Sequence, residues 1–194
     1  MGDFWFYIQL GLEHVLDLDA YDHILFLAAL TIPFTFMDWK KVLVLATVFT
    51  IAHCFSLGLS VYEVVAVDVR LIEFLIPVTI FFTAIYNLIS SRKATDRKNL
   101  VAYIVATGFF GLVHGFGFSN YFKMLMAGEE EKISPLLGFA AGIEMSQILI
   151  LLTVLSGNYI VRSLFKVKQP YFIQIMSIIV LLITIPMLIT TFPW

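Results

Sequence analysis

Four histidines, His14, His23, His53 and His114, are the only imidazoles in this chain, and each sits in or beside a long apolar run with polar or glycine neighbours. Imidazole is the side chain most often used to hold a transition metal. A polar nitrogen is expensive to bury in hydrocarbon, so a chain that concentrates every imidazole there points to their joint use. Carboxylates accompany them. Asp17, Asp19 and Asp22 cluster just before and beside His23, and Glu144 interrupts the apolar run Gly138–Gln147. On a helix continuing through residues 19–23, Asp19, Asp22 and His23 share a face at i, i+3, i+4. A plainer use would have Asp19 cap that helix and Asp22 favour its positive first turn. Asp22 could also orient a neighbouring imidazole as an acceptor behind the ligands.

These residues need a scaffold, and composition indicates which kind. Of 194 residues, 60% are hydrophobic and 13% charged, with a mean hydropathy of +0.94. A soluble domain carries roughly a quarter charged residues, so the chain reads as an all-α, polytopic transmembrane helix bundle forming a single domain over residues 1–194. Spans fall near residues 21–37, 40–61, 69–89, 100–126, 134–158 and 171–192. Residues 1–18 precede them as a short helix, either lying at the interface or dipping into the membrane as a seventh element. The net charge of −2 comes with no basic stripe, which argues against nucleic-acid binding. A lone cysteine, Cys54, excludes an internal disulfide, and it is rotated away from His53 by about 100° on a helix. No cleavable signal peptide is expected at the start.

Lysine and arginine crowd one set of loops: Lys40 and Lys41, then Arg92, Lys93, Arg97 and Lys98, then Arg162, Lys166 and Lys168. The opposite set holds Arg70, Lys123 and Lys132, the last offset by Glu129, Glu130 and Glu131. The first side is therefore expected to be cytoplasmic, with both termini outward and a bacterial inner membrane as the location. At 1.5 Å per residue, His53 lies ~18 Å from the inner surface, His114 ~24 Å from it, and Glu144 ~15 Å below the outer one. Histidines and carboxylates from several helices are thus expected to meet in the outer half of the membrane. Thr50 and Ser56 share a face with His53. Glu144 shares one with Gln147, and Ser146 is a small polar neighbour. Gly111 and Gly115 make a small-xxx-small face beside His114.

The ordered segments Gly11-Leu-Glu-His14, Tyr21-Asp22-His23-Ile-Leu-Phe26, Phe49-Thr-Ile-Ala-His53, Phe110-Gly-Leu-Val-His114-Gly-Phe-Gly-Phe118 and Gly142-Ile-Glu144-Met-Ser-Gln147 resemble the HupE/UreJ family. That resemblance implies a small membrane permease for nickel or cobalt, associated with maturation of metalloenzymes such as hydrogenase and urease. It also implies a histidine–aspartate–histidine signature, here His14 with Asp22 and His23. Seven residues separate His14 from Asp22, longer than the family's usual spacing, and Cys54 stands where serine is expected.

Three functions follow as alternatives. In a permease, a divalent metal (nickel, cobalt or zinc, with copper compatible) enters at Asp17, Asp19 and Asp22. It is then captured by His14, His23, His53 and His114, while Glu144 supplies compensating charge. An inner half poor in polar residues weighs against easy conduction. In an intramembrane zinc hydrolase of ceramidase-like type, three histidines leave a coordination position open for water. Asp22 or Glu144 would then accept protons, assisted by Ser119 or Ser146. In a sensor or assembly protein, the metal only ties helices together. The permease is the leading reading.

Overall fold

The computed structural model describes residues 3–91, 100–128 and 131–193. Arg92, Lys93, Arg97 and Lys98 of the expected basic loop, and Glu129 and Glu130, lie outside the described residues. Within them the chain is all helix and turn: α1 (Asp3–Leu16), α2 (Asp22–Thr31), α3 (Trp39–Val61), α4 (Val69–Ser90), α5 (Leu100–Leu125), α6 (Ile133–Phe165) and α7 (Gln169–Thr190). Helices α3 to α7 are each long and apolar enough to cross a membrane. The bundle is an integral membrane protein of the expected helical class.

The expected first span is different from the other five. Its helix, α2, has only 10 residues, or ~15 Å at 1.5 Å per residue, about half a hydrocarbon core. It ends because Pro33 has no N–H to continue the ladder. A 3₁₀ turn at Phe36–Asp38 follows, closed by a reciprocal cap between Thr35 and Asp38. Nor does the helix reach back to Asp19. Tyr21 is its N-cap, so the expected i, i+3, i+4 face of Asp19, Asp22 and His23 does not form. Asp19 sits in the preceding loop, where its N–H bonds to Asp17 Oδ1 at 2.9 Å.

Glycines decide how α1 is held. Gly138 and Gly142, four residues apart on α6, leave no room for side chains. A Cβ at Gly138 would strike the Phe4 carbonyl, and one at Gly142 the Ile8 carbonyl and the Gly11 Cα. Such small-xxx-small faces let backbones touch. Ser146 adds a clamp, its hydroxyl donating to Leu12 O at 3.1 Å. Tyr7 and Val15 are buried in the result. Of the two readings of this segment, a surface helix or one that enters the bundle, the packing supports the second.

Contact order gives the direction of travel. Phe4 meets α6 at residue 138, Ile8 at 142 and Leu12 at 146, so α1 runs parallel to α6. Thr47 meets Glu144 while Gly58 meets Leu136, so α6 is antiparallel to α3. His23 faces His53 while Phe26 faces Phe49, so α2 is antiparallel to α3 too. Helices α1 and α2 therefore point the same way, as two pieces interrupted at 17–21, beside the five helices long enough to cross a membrane.

A second glycine pair, Gly111 and Gly115, seats α5 on α3. A Cβ at Gly111 would strike the Phe49 carbonyl, and one at Gly115 the His53 carbonyl and Ser56 Oγ. Toward the end carrying Lys41 and Arg162, Asn87 on α4 donates to Ala29 O at 2.7 Å, the interhelical bond expected of a buried amide. Gln169 donates to Pro33 O at 3.0 Å and ties α7 to the foot of the broken span. Between α2, α4 and α5 a cavity of about 440 Å³ is lined almost wholly by apolar groups, including Leu30, Tyr86, Ala106 and Phe110.

Candidate metal centre

The break in the first span, the glycine-seated α5 and the middle of α3 meet at one point. His14 closes α1 in its last turn, and His23 follows the first residue of α2. His53 and His114 project from α3 and α5, placed there by the close approach at Gly115. His53 is 0% exposed, His114 1% and His23 4%.

The four rings form a compact group. Ring centroids are 4.6 Å apart for His14 and His23, 5.6 Å for His14 and His53, 5.9 Å for His23 and His53, and 5.0 Å for His23 and His114. The ligating nitrogens of His14, His23 and His53 all lie within 4.8 Å of one another. A metal bonded to imidazole nitrogen at about 2.0–2.1 Å holds such nitrogens no farther apart than about 4.2 Å.

The strongest sign of a ligand is what these nitrogens lack. Among the described residues, Nε2 of His14, His23, His53 and His114 is in every case buried and without a hydrogen-bond partner, as is Nδ1 of His53. A buried polar atom left unpaired costs about 1–3 kcal/mol. The unpaired atoms of His14, His23 and His53, three side chains whose ligating nitrogens lie within 4.8 Å of one another, fit a cation that accepts lone pairs from all three, and His114 stands beside His23.

The opposite ring nitrogens are held where that use requires. His23 Nδ1 lies 3.0 Å from Asp22 Oδ1, and the same oxygen accepts the His23 backbone N–H at 2.7 Å. His114 Nδ1 lies 2.9 Å from the Phe110 carbonyl. A proton on each Nδ1 satisfies these acceptors and turns a bare Nε2 lone pair inward, the usual arrangement behind a metal-bound histidine. In this geometry one Asp22 oxygen holds the His23 ring in place.

Aromatic rings wall the group on both sides. Phe118 packs on His14 at 4.0 Å and stacks against Phe139 at 5.3 Å. Toward the end carrying Lys41, Phe49 lies 5.3 Å from His114 and 5.8 Å from His53, with Phe26 behind it at 5.2 Å. These four phenylalanine rings surround the histidines with apolar surface, where electrostatic attraction to Asp22 is stronger than in water.

Other candidates fall elsewhere. Glu144 is engaged on α3, accepting from Thr47 Oγ1 at 2.6 Å and Thr50 Oγ1 at 2.7 Å. Gln147 accepts from Thr50 at 3.1 Å. Ser119 donates to Phe116 O and Ser146 to Gly142 O, so each hydroxyl is spent on backbone. Cys54 is half-buried and outside the histidine group. Asp17 and Asp19 are exposed at the break. Thr47 was missed in the sequence, although it stands three residues before Thr50 and six before His53 on one helix.

A family model described as HupE / UreJ protein matches residues 1–191. No curated protein and no solved structure matches the chain.

Proposed function

The chain belongs to the HupE/UreJ family, and from that premise we propose that it is a permease for a divalent transition metal, nickel or cobalt first. Its capture site is the four-imidazole group. The observation that carries this reading is the grouping of His14, His23 and His53, with ligating nitrogens within 4.8 Å of one another, beside His114, the Nε2 of all four being buried and unpartnered among the described residues. Nitrogen donors suit late first-row metals and not magnesium or calcium.

The broken helix supports binding in two ways. The last carbonyls of a helix have no intrahelical partners and form the negative end of its dipole, so the C-terminus of α1 favours a cation beside His14. Irregular backbone inside a membrane is tolerated where it lines a site, as in the discontinuous helices of transporters. Asp17 and Asp19, exposed on that loop, would attract the ion toward the histidines. His14, His23, His53 and His114 would ligate it, and Asp22 would hold His23 in register while offsetting charge. With the basic end cytoplasmic, both termini lie outside, in keeping with a bacterial inner membrane. Delivery to metalloenzyme maturation partners would follow release.

The expected poverty of polar groups beyond the site needs amending. Thr50, Thr47, Glu144 and Gln147 continue a polar line from His53 toward the basic end, along the α3–α6 seam. Phe49 and Phe26 stand across the direct route, so passage requires their rings to turn. The test is uptake of nickel into proteoliposomes. Wild-type protein should fill the vesicles and His53→Ala should not. Tight metal binding with no uptake by the wild type would sink the permease reading and favour the hydrolase or the assembly role.

A further inference from the structure

The seam between α3 and α6 gathers oxygen atoms in excess of the protons available to them. Thr47 and Thr50 bring one hydroxyl proton each. Three acceptor oxygens compete for these two protons: Glu144 Oε1 at 2.6 Å, Glu144 Oε2 at 2.7 Å and Gln147 Oε1 at 3.1 Å. Thr50 can donate to only one of its two acceptors at a time. Gln147 is 0% exposed, and its Nε2 has no partner. This buried amide is therefore turned toward Thr50 at the expense of its own donor.

We propose that Glu144, Thr47, Thr50 and Gln147 form a second cation site, for a small monovalent ion of the sodium or lithium type. It is distinct from the histidine centre. The donor chemistry selects the class. All the donors are oxygens of a carboxylate, two hydroxyls and an amide, which suits hard cations and gives nothing to a metal that prefers nitrogen or sulfur. Charge selects the valence. The cluster holds one carboxylate, so one monovalent ion makes it neutral, whereas a divalent ion would leave net charge within a membrane span, where it is costly. Thr47 is exposed on the flank of the bundle and Glu144 is half-buried, so the site opens sideways as well as along the seam. Thr50 stands one helical turn from His53, which puts the monovalent ion next in line to the transition metal and makes the pair a route for coupling the two fluxes.

The site is tested by its chemistry, without transport. Dicyclohexylcarbodiimide reaches carboxyl groups from the lipid and reacts with those that carry a proton. Purified full-length protein is labelled at mildly acidic pH in choline chloride and in sodium chloride, and modification of the Glu144 peptide is followed by mass spectrometry. Sodium at ten times its dissociation constant should slow labelling about tenfold by mass action, and choline should leave it fast. Thr50→Val should need more sodium for the same protection, and Thr47→Ser, which keeps the oxygen, should behave as wild type. Equal labelling rates in sodium, lithium and choline would make Glu144 a proton-binding carboxyl only and overturn the proposal. So would the absence of labelling in every salt. His53→Ala should weaken nickel binding about 100-fold yet retain sodium protection, so failure at one site is read separately from failure at the other.

Discussion

Replacing Gly142 by alanine should detach His14 from the metal centre without touching any ligand. A Cβ there meets backbone on three sides, striking Ile8 O and lying 2.9 Å from Leu12 N and 3.0 Å from Gly11 Cα. None of these is a flexible side-chain end, so α1 itself must move, by about an ångström to restore ordinary contact. Overpacking of this kind costs about 1–3 kcal/mol of stability. Metal sites hold ligand distances to within about 0.2 Å, so an ångström at α1 removes His14 from the shell, while His23, His53 and His114 keep their seats on α2, α3 and α5. Disturbing a supporting group costs about 10–100-fold in metal affinity, and losing a ligand should reach the upper end of that range. Nickel titration by calorimetry in detergent, with circular dichroism to verify helix content, measures both effects. The control is Gly157→Ala on the same helix, whose Cβ meets nothing within 4 Å and which should bind nickel as wild type does. An unchanged affinity in folded Gly142→Ala would refute the view that the glycine contact positions His14.

Asp22→Asn should weaken nickel binding about 10–100-fold with little change in thermal stability, because the amide no longer holds one imidazole tautomer; calorimetry on the purified variant checks this. Cys54→Ser should leave metal stoichiometry unchanged by elemental analysis, since the thiol lies outside the histidine group. Ser146→Ala deletes the hydroxyl that bridges Leu12 O and Gly142 O. It should lower the midpoint of thermal unfolding in detergent, by the equivalent of about 1 kcal/mol.

The parts of this fold visible in the sequence are those set by local composition. Long apolar runs between charged turns locate α3 to α7, because a helix is the only open-ended element whose backbone is satisfied within hydrocarbon. The histidines were legible for the same reason, as polar groups where polarity is costly. The break in the first span was not. Residues 4–37 read as a short helix and a longer one, and only the Gly11 and Gly142 contact, a property of two helices together, seats the first of them inside the bundle. Glu144 shows the same limit. Its place ten residues along α6 from Ser134 was readable, but which neighbouring helix it faces depends on rotation about the α6 axis. That rotation is fixed by Gly138 and Gly142 turning toward α1. The tilt of His23 by Asp22 was legible as one alternative among several, because adjacent residues on a helix normally point apart, and only the start of α2 at Asp22 lets the carboxylate fold back onto its neighbour's ring.

X-ray absorption at the nickel edge of the loaded, full-length protein examines the centre most directly. The account predicts an inner shell of nitrogen with the outer-shell scattering of several imidazoles, reduced by one ring in each of His14→Ala, His23→Ala, His53→Ala and His114→Ala. A shell of oxygen alone, or one indifferent to all four substitutions, would contradict it.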